Sequence, residues 1–257
     1  MALDRFRAQD LQISIKDDST PVTDVDRTIE EALRSTLSRV RPRDAVLGEE
    51  DGESGHGSRR WVIDPIDGTK NFVRGVPVWA VLIALMDGPE VVVGLVAAPA
   101  LQRRWWAAKD GGAWTGRSLT SATRCEVSSV SSISDAYLSY SSLSGWADRY
   151  RLENFLQLTR TVGRSRAFGD FWSYMLLAQG GVDIACEPEV SLWDIAAPSL
   201  LVAEAGGRFT DLSGAPGPAG GSAVATNGVL QDDVVDLLNC DLSADLSPGK
   251  DPTGGAT

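Results

Sequence analysis

Asp64 and Asp67 stand close together in the run Trp61-Val62-Ile63-Asp64-Pro65-Ile66-Asp67-Gly68-Thr69-Lys70-Asn71-Phe72. Three β-formers, Trp61–Ile63, lead into Asp64, so a short strand delivers a carboxylate at its end. Pro65 lacks a backbone N–H and is expected to end the ladder there. Pro, Gly and Thr then form a tight turn that presents both carboxylates together. Two such groups on one turn repel each other unless a cation intervenes. Hard divalent cations take carboxylate and carbonyl oxygens. Gly68 and Thr69 are expected to open a helix, whose free N–H groups favour an anion. The chemistry implied is a metal on one side of the turn and a phosphate on the other.

Other stretches carry weaker signals. Asp44–Leu47 reads as a short strand feeding Gly48-Glu49-Glu50, with Gly48 allowing a sharp bend and Glu49 offering a third carboxylate. Thr23 or Asp24 can cap a helix with Ile29, Leu33 and Leu37 on one face, and Asp24 and Asp26 also suit the acidic start of that helix. Asp194, after Trp193, reads on its own as a helix N-cap. Asp170 reads on its own as the cap of a helix over Phe171–Gly180.

Four motifs occur in the order Thr23-Asp24-Val25-Asp26, Gly48-Glu49-Glu50, Asp64-Pro65-Ile66-Asp67-Gly68-Thr69 and Trp193-Asp194-Ile195-Ala196-Ala197. Together they resemble the inositol monophosphatase superfamily, Mg²⁺-dependent and lithium-sensitive phosphomonoesterases, over roughly residues 11–240. The runs Asn71–Ala80, Arg103–Ala108 and Phe168-Gly169-Asp170-Phe171 look most like the histidinol-phosphatase branch of that family from actinobacteria. The resemblance implies an α/β (α+β) fold, a five-layer α-β-α-β-α sandwich, with metals between its two halves and a homodimer as the usual state. It implies a metal site of Glu49, Asp64, Asp67, Asp194 and the carbonyl of Ile66, holding two or three Mg²⁺ about 3.5–4 Å apart, with Li⁺ as inhibitor. It makes Asp26 the hydrogen-bond partner of Thr69, which orients or deprotonates the attacking water, so that Thr69, Asp26 and Glu49 are the catalytic set. Gly68 and Thr69 would hold the phosphate, and Asp67, Asp170 and Glu187 would contact the substrate. Glu187 matches the position where inositol-specific members meet a substrate hydroxyl. At Asp170 many members carry a small residue, and an added carboxylate there favours a cationic leaving group. Histidinol phosphate carries an ammonium and inositol phosphate does not.

The expected activity is therefore hydrolysis of L-histidinol phosphate in histidine biosynthesis. Inositol-1-phosphate and fructose-1,6-bisphosphate are alternatives, and 3′-phosphoadenosine 5′-phosphate fits poorly beside Asp170 and Glu187. A non-catalytic metal- or phosphate-binding protein on the same fold is the competing class, against which the intact ligand set argues.

The elements that must position these residues fit an ordinary globular chain of 257 residues, 43% hydrophobic and 23% charged. A net charge of −11 argues against nucleic acid or an anionic membrane as partner. It also repels a phosphate ester, a repulsion that bound cations would reverse locally. Three scattered cysteines, Cys125, Cys186 and Cys240, show no disulfide or zinc spacing and fit a reducing cytoplasm. No apolar run reaches the length of a membrane span and no signal peptide is visible. His56, the single histidine, lies in a polar loop.

Only a short segment, Ala2–Gln9, precedes a strand at Leu11–Ile15, where family members usually have a longer helix. Gln12–Asp18 reads as one arm of a hairpin with Lys16 and Asp18 at its tip. Apolar strands over Trp79–Met86 and Val91–Ala97 flank a turn, and the first half reads as a helix layer on a mostly antiparallel sheet. A Ser/Thr-rich stretch places a boundary near residue 120, separating halves at 1–120 and 121–240. The second half alternates helices and strands, including a helix expected over Ile195–Ala205. Residues 241–257 read as a disordered tail.

Overall fold

The computed structural model describes residues 1–16 and 20–240; Asp18 and the tail 241–257 lie outside the described residues. Two sheets organise the chain. The larger has eight strands, in the spatial order Thr123–Arg124, Ala113–Gly116, Arg103–Ala108, Glu90–Ala98, Ala80–Asp87, Arg59–Asp67, Ala45–Gly48 and Gly52–Ser54. Its pairings are antiparallel except that between Ala45–Gly48 and Arg59–Asp67. The smaller has five strands in the order Arg164–Arg166, Tyr137–Ser139, Ile184–Glu187, Ala223–Thr226 and Arg208–Thr210.

Helices Asp170–Ala178 and Leu192–Glu204 lie between the sheets. The second is buried from Ile195 through Val202, as a helix with apolar residues all round must be. It lies so close to the larger sheet that a Cβ on Gly94 would press against Ala197 O at 2.9 Å. The far face of the smaller sheet is covered by Leu143–Asp148, Leu152–Thr161 and Gln231–Asn239, around Trp146, Phe155 and Leu158. On the far side of the larger sheet, helix Asp24–Val40 packs Val25 and Ile29 near Ile66, Phe72 and Trp79. The sequence of layers is α-β-α-β-α, as the motif resemblance implied. Among the described residues no helix is long and apolar enough to cross a membrane.

Several local expectations need correction. The strand does not stop at Pro65: it runs from Arg59 through Asp67. Its ladder with Ala80–Asp87 pairs Asp64 with Leu82 and Asp67 with Ala80, so three steps on one strand face two on the other. This one-residue irregularity carries the strand past a proline that cannot donate to a ladder. Gly48 is needed for room rather than for a sharp bend. A Cβ there would overlap the Glu30 carboxylate, which is buried, accepts the N–H groups of Glu50 (2.8 Å) and Asp51 (3.0 Å), and pairs with Arg34. The late helix begins at Leu192, before the expected Ile195, because Ser191 caps it.

Candidate active site

The irregularity after Asp64 decides where the carboxylates point. On a regular strand, residues three apart face opposite sides of the sheet. One extra residue between Asp64 and Asp67 brings them to the same side. Asp64 is buried, with Oδ1 accepting the N–H of Ile66 at 2.9 Å. Asp67 Oδ2 accepts the N–H of Phe171 at 2.7 Å, tying the turn to the helix between the sheets. Gly68, at φ 81°, then turns the chain into the short helix Thr69–Val73.

Asp194 arrives from the other direction. It is not the N-cap of its helix; Ser191 is, and Asp194 stands three residues on, its Oδ2 accepting the Ser191 N–H at 2.8 Å. This capping box leaves its other oxygen for the cleft. Asp64, Asp67 and Asp194 each offer an oxygen within 4.8 Å of the others. Glu49 reaches the same cleft, held at its backbone by Ile63 O (3.2 Å). Its carboxylate and that of Glu50 receive Lys16 Nζ at 2.7 and 2.6 Å, so the hairpin lysine is not a plain exposed turn residue.

Thr69 Oγ lies between two acceptors, Ile66 O at 2.9 Å and Asp26 Oδ1 at 3.4 Å. The expected bond to Asp26 is the longer of the two. Asp26 spends its other oxygen on the backbone N–H and hydroxyl of Thr23, the helix cap. Asp24 caps nothing with its side chain; it takes the Gln12 N–H and pairs with Arg5.

Asp170 does not cap its helix either. Gly169 holds that position, and the Asp170 side chain turns toward the helix that follows Gly68, accepting Asn71 Nδ2 at 3.2 Å. Glu187, at the end of a central strand of the smaller sheet, accepts the Ser141 hydroxyl at 2.7 Å. A cleft of about 450 Å³ collects Glu49, Asp64, Asp67, Thr69, Asp170 and Asp194. An adjoining cavity of about 270 Å³ shares Asp67, Asp170 and Asp194 and adds Tyr174 and Glu187. Ser141, Asn71 and Tyr174 were not anticipated from sequence. The only signal was position, since Ser141 follows the carboxyl end of strand Tyr137–Ser139, where such sheets bind ligands.

So many buried acids raise each other's pKa. Burial, then repulsion from neighbouring carboxylates, pushes Asp64 and Asp67 well above the ordinary range. Burial raises Asp194 to about 7, against the pull of the Ser191 N–H, and Glu187 to about 8, against that of Ser141. Burial also raises Asp170, opposed by Lys70. Burial lowers the Lys16 ammonium, but its bonds to Glu49 and Glu50 outweigh this and raise it. An all-oxygen cleft whose acids outnumber the two lysines beside them, Lys16 and Lys70, fits hard divalent cations.

A stability prediction follows. In the metal-free chain these carboxyl pKa values are raised on folding, so the native state holds protons that the unfolded state releases. Stability then falls as pH rises through the window between the ordinary carboxylate values and about 8. In EDTA the melting temperature is expected to be lower at about pH 8 than at about pH 6, and Mg²⁺ to give its largest increase at the higher pH. An EDTA melting temperature that rises with pH over this range contradicts the assignment.

Two stacked sheets enclosing a carboxylate cleft beside a Gly-Thr helix start define a class of metal-dependent phosphatases. The chain belongs to the inositol monophosphatase family, whose model matches residues 1–242. It is 61% identical over 241 residues to the histidinol-phosphatase of Streptomyces coelicolor, covering 92% of this chain and 91% of that one. It is 58% identical over 236 residues to the histidinol-phosphatase of Mycobacterium tuberculosis, covering 91% of each. Among solved structures, the extragenic suppressor protein suhB of Bartonella henselae superposes with a TM-score of 0.83 at 29% identity, over 92% of both chains. The chain is thus a hydrolase of the phosphatase type.

Proposed function

We propose that this protein is a Mg²⁺-dependent phosphatase that hydrolyses L-histidinol phosphate to L-histidinol and phosphate, a step of histidine synthesis. The observation that carries the choice of substrate is the placement of Asp170. Its carboxylate is held by Asn71 rather than by its own helix, a position from which it would meet the leaving group. With Glu187 beyond it, the pocket favours a cation such as the ammonium of histidinol phosphate over a neutral polyol. The two histidinol-phosphatases at 58% and 61% identity support the same reading.

Glu49, Asp64, Asp67, Asp194 and the Ile66 carbonyl would hold two or three Mg²⁺, and Li⁺ is expected to inhibit. The ions supply Lewis-acid charge neutralisation at the phosphate, the effect large enough to matter for so slow a hydrolysis. The chain does the rest. The N–H groups of Gly68 and Thr69 bind phosphate oxygens. Thr69 Oγ orients the attacking water, or takes its proton while passing its own hydroxyl proton to Asp26 Oδ1. Asp67 and Asp170 fix the leaving group, and no phosphoenzyme forms. We further expect a homodimer in the cytoplasm, consistent with three free cysteines.

Asp170→Ala tests the substrate choice. It is expected to lower kcat/KM for L-histidinol phosphate at least about tenfold more than for glycerol 2-phosphate, a neutral alcohol's ester. Equal losses on the two substrates would remove Asp170 from specificity.

A further inference from the structure

The two acids on which the substrate choice rests come from separate elements, Asp170 from the start of a helix and Glu187 from the end of a strand. One atom joins them. Ser141 Oγ donates its single proton to Glu187 Oε1 at 2.7 Å and accepts the backbone N–H of Asp170 at 3.0 Å. With Glu187 ionised, as beside a bound cation, the polarity is matched: a carboxylate can only accept and an N–H can only donate, and a hydroxyl does both.

Asp170 needs holding. Its φ of 48° lies in the left-handed region, which strains a non-glycine residue. Gly169 before it is also at positive φ. Ser141 holds the backbone of Asp170, and Asn71 Nδ2, which also donates to Val78 O at 2.9 Å, holds its carboxylate. Ser141 itself lines the 270 Å³ cavity with Asp170 and Glu187. Tyr174 lines it too, and its buried hydroxyl has no hydrogen-bond partner among the described residues. Ser141 also lines the 450 Å³ cleft, but among those residues none of its hydrogen bonds reaches Asp64, Thr69 or Asp26.

We propose that Ser141 is the positioning residue of the leaving-group pocket, setting Asp170 and Glu187 as one wall so that a cationic leaving group meets both. This inference rests on the histidinol-phosphate reading. It is tested by comparing wild type, Ser141→Ala and Ser141→Thr at saturating Mg²⁺ on L-histidinol phosphate and glycerol 2-phosphate. Binding of L-histidinol is measured by calorimetry in parallel.

Ser141→Ala is expected to lower the ratio of kcat/KM for the two substrates about tenfold, mostly through KM, and to weaken L-histidinol by a similar factor. Threonine, which keeps the hydroxyl, is expected to restore most of both. Asn71→Ala removes the other hold on Asp170 and is expected to shift the ratio the same way, which keeps the test open if Ser141→Ala does not fold. A wild type without preference for L-histidinol phosphate overturns the function and this inference together. A wild type with that preference, whose ratio and L-histidinol affinity survive Ser141→Ala, or survive Asn71→Ala where the serine variant does not fold, overturns the role of Ser141 alone.

Discussion

Asp64→Asn is expected to lower kcat at least about 10³-fold while making the metal-free protein more stable. The two effects have one cause. Asp64 is buried among Glu49, Asp67 and Asp194, and burial and these neighbours disfavour its charge, which bound cations would offset. Asparagine has nearly the same shape and keeps an oxygen for the Ile66 N–H, so the turn is preserved. It removes the negative charge that a divalent ion needs and that the apo fold resists. Phosphate release with Mg²⁺ and thermal melting in EDTA read the two halves. Near-normal turnover would remove Asp64 from the metal site; lost activity together with a lowered EDTA melting temperature would mean that Asp64 is structural.

Thr69→Ala is expected to cost about 10² to 10⁴ in kcat with little change in the Mg²⁺ concentration for half-maximal activity. Thr69 opens the short helix after Gly68, and its hydroxyl sits between Ile66 O and Asp26 Oδ1. On the proposed mechanism its removal takes away the group that orients the attacking water and leaves every carboxylate in place. Serine keeps the hydroxyl and is expected to retain most of the activity. A loss that extra Mg²⁺ repairs would instead assign Thr69 to metal binding, through the Ile66 carbonyl it touches.

The acid positions were readable because residue type and order carry the chemistry: aspartates on one Pro-Gly-Thr turn, a Gly-Glu-Glu upstream and a Trp-Asp far downstream. The layers were readable from the motif resemblance and the strands from apolar runs such as Trp79–Met86, although the burial of every second residue along Ala80–Asp87 shows only in the structure. What was hidden depended on geometry that spacing does not encode. Pro65 argued for a strand end, but an extra residue in the ladder carried the strand on and put Asp64 and Asp67 on one side. Asp194 and Asp170 each looked like a cap, but the caps are Ser191 and Gly169, which frees one acid for the cleft and the other for Asn71. Ser141 was read only as the last residue of a strand, which gave its hydroxyl no partner. Only the meeting of a strand end with a helix start more than twenty residues later gives its hydroxyl two partners.

The most direct test of the central claim is phosphate release by the purified protein. The substrates are L-histidinol phosphate, inositol-1-phosphate, fructose-1,6-bisphosphate and 3′-phosphoadenosine 5′-phosphate, each with Mg²⁺ and with EDTA. A cleft with Asp170 and Glu187 at its leaving-group end predicts strong preference for L-histidinol phosphate, abolished by EDTA and restored by Mg²⁺. Equal or greater activity on a neutral polyol phosphate, or turnover that survives EDTA, would contradict it.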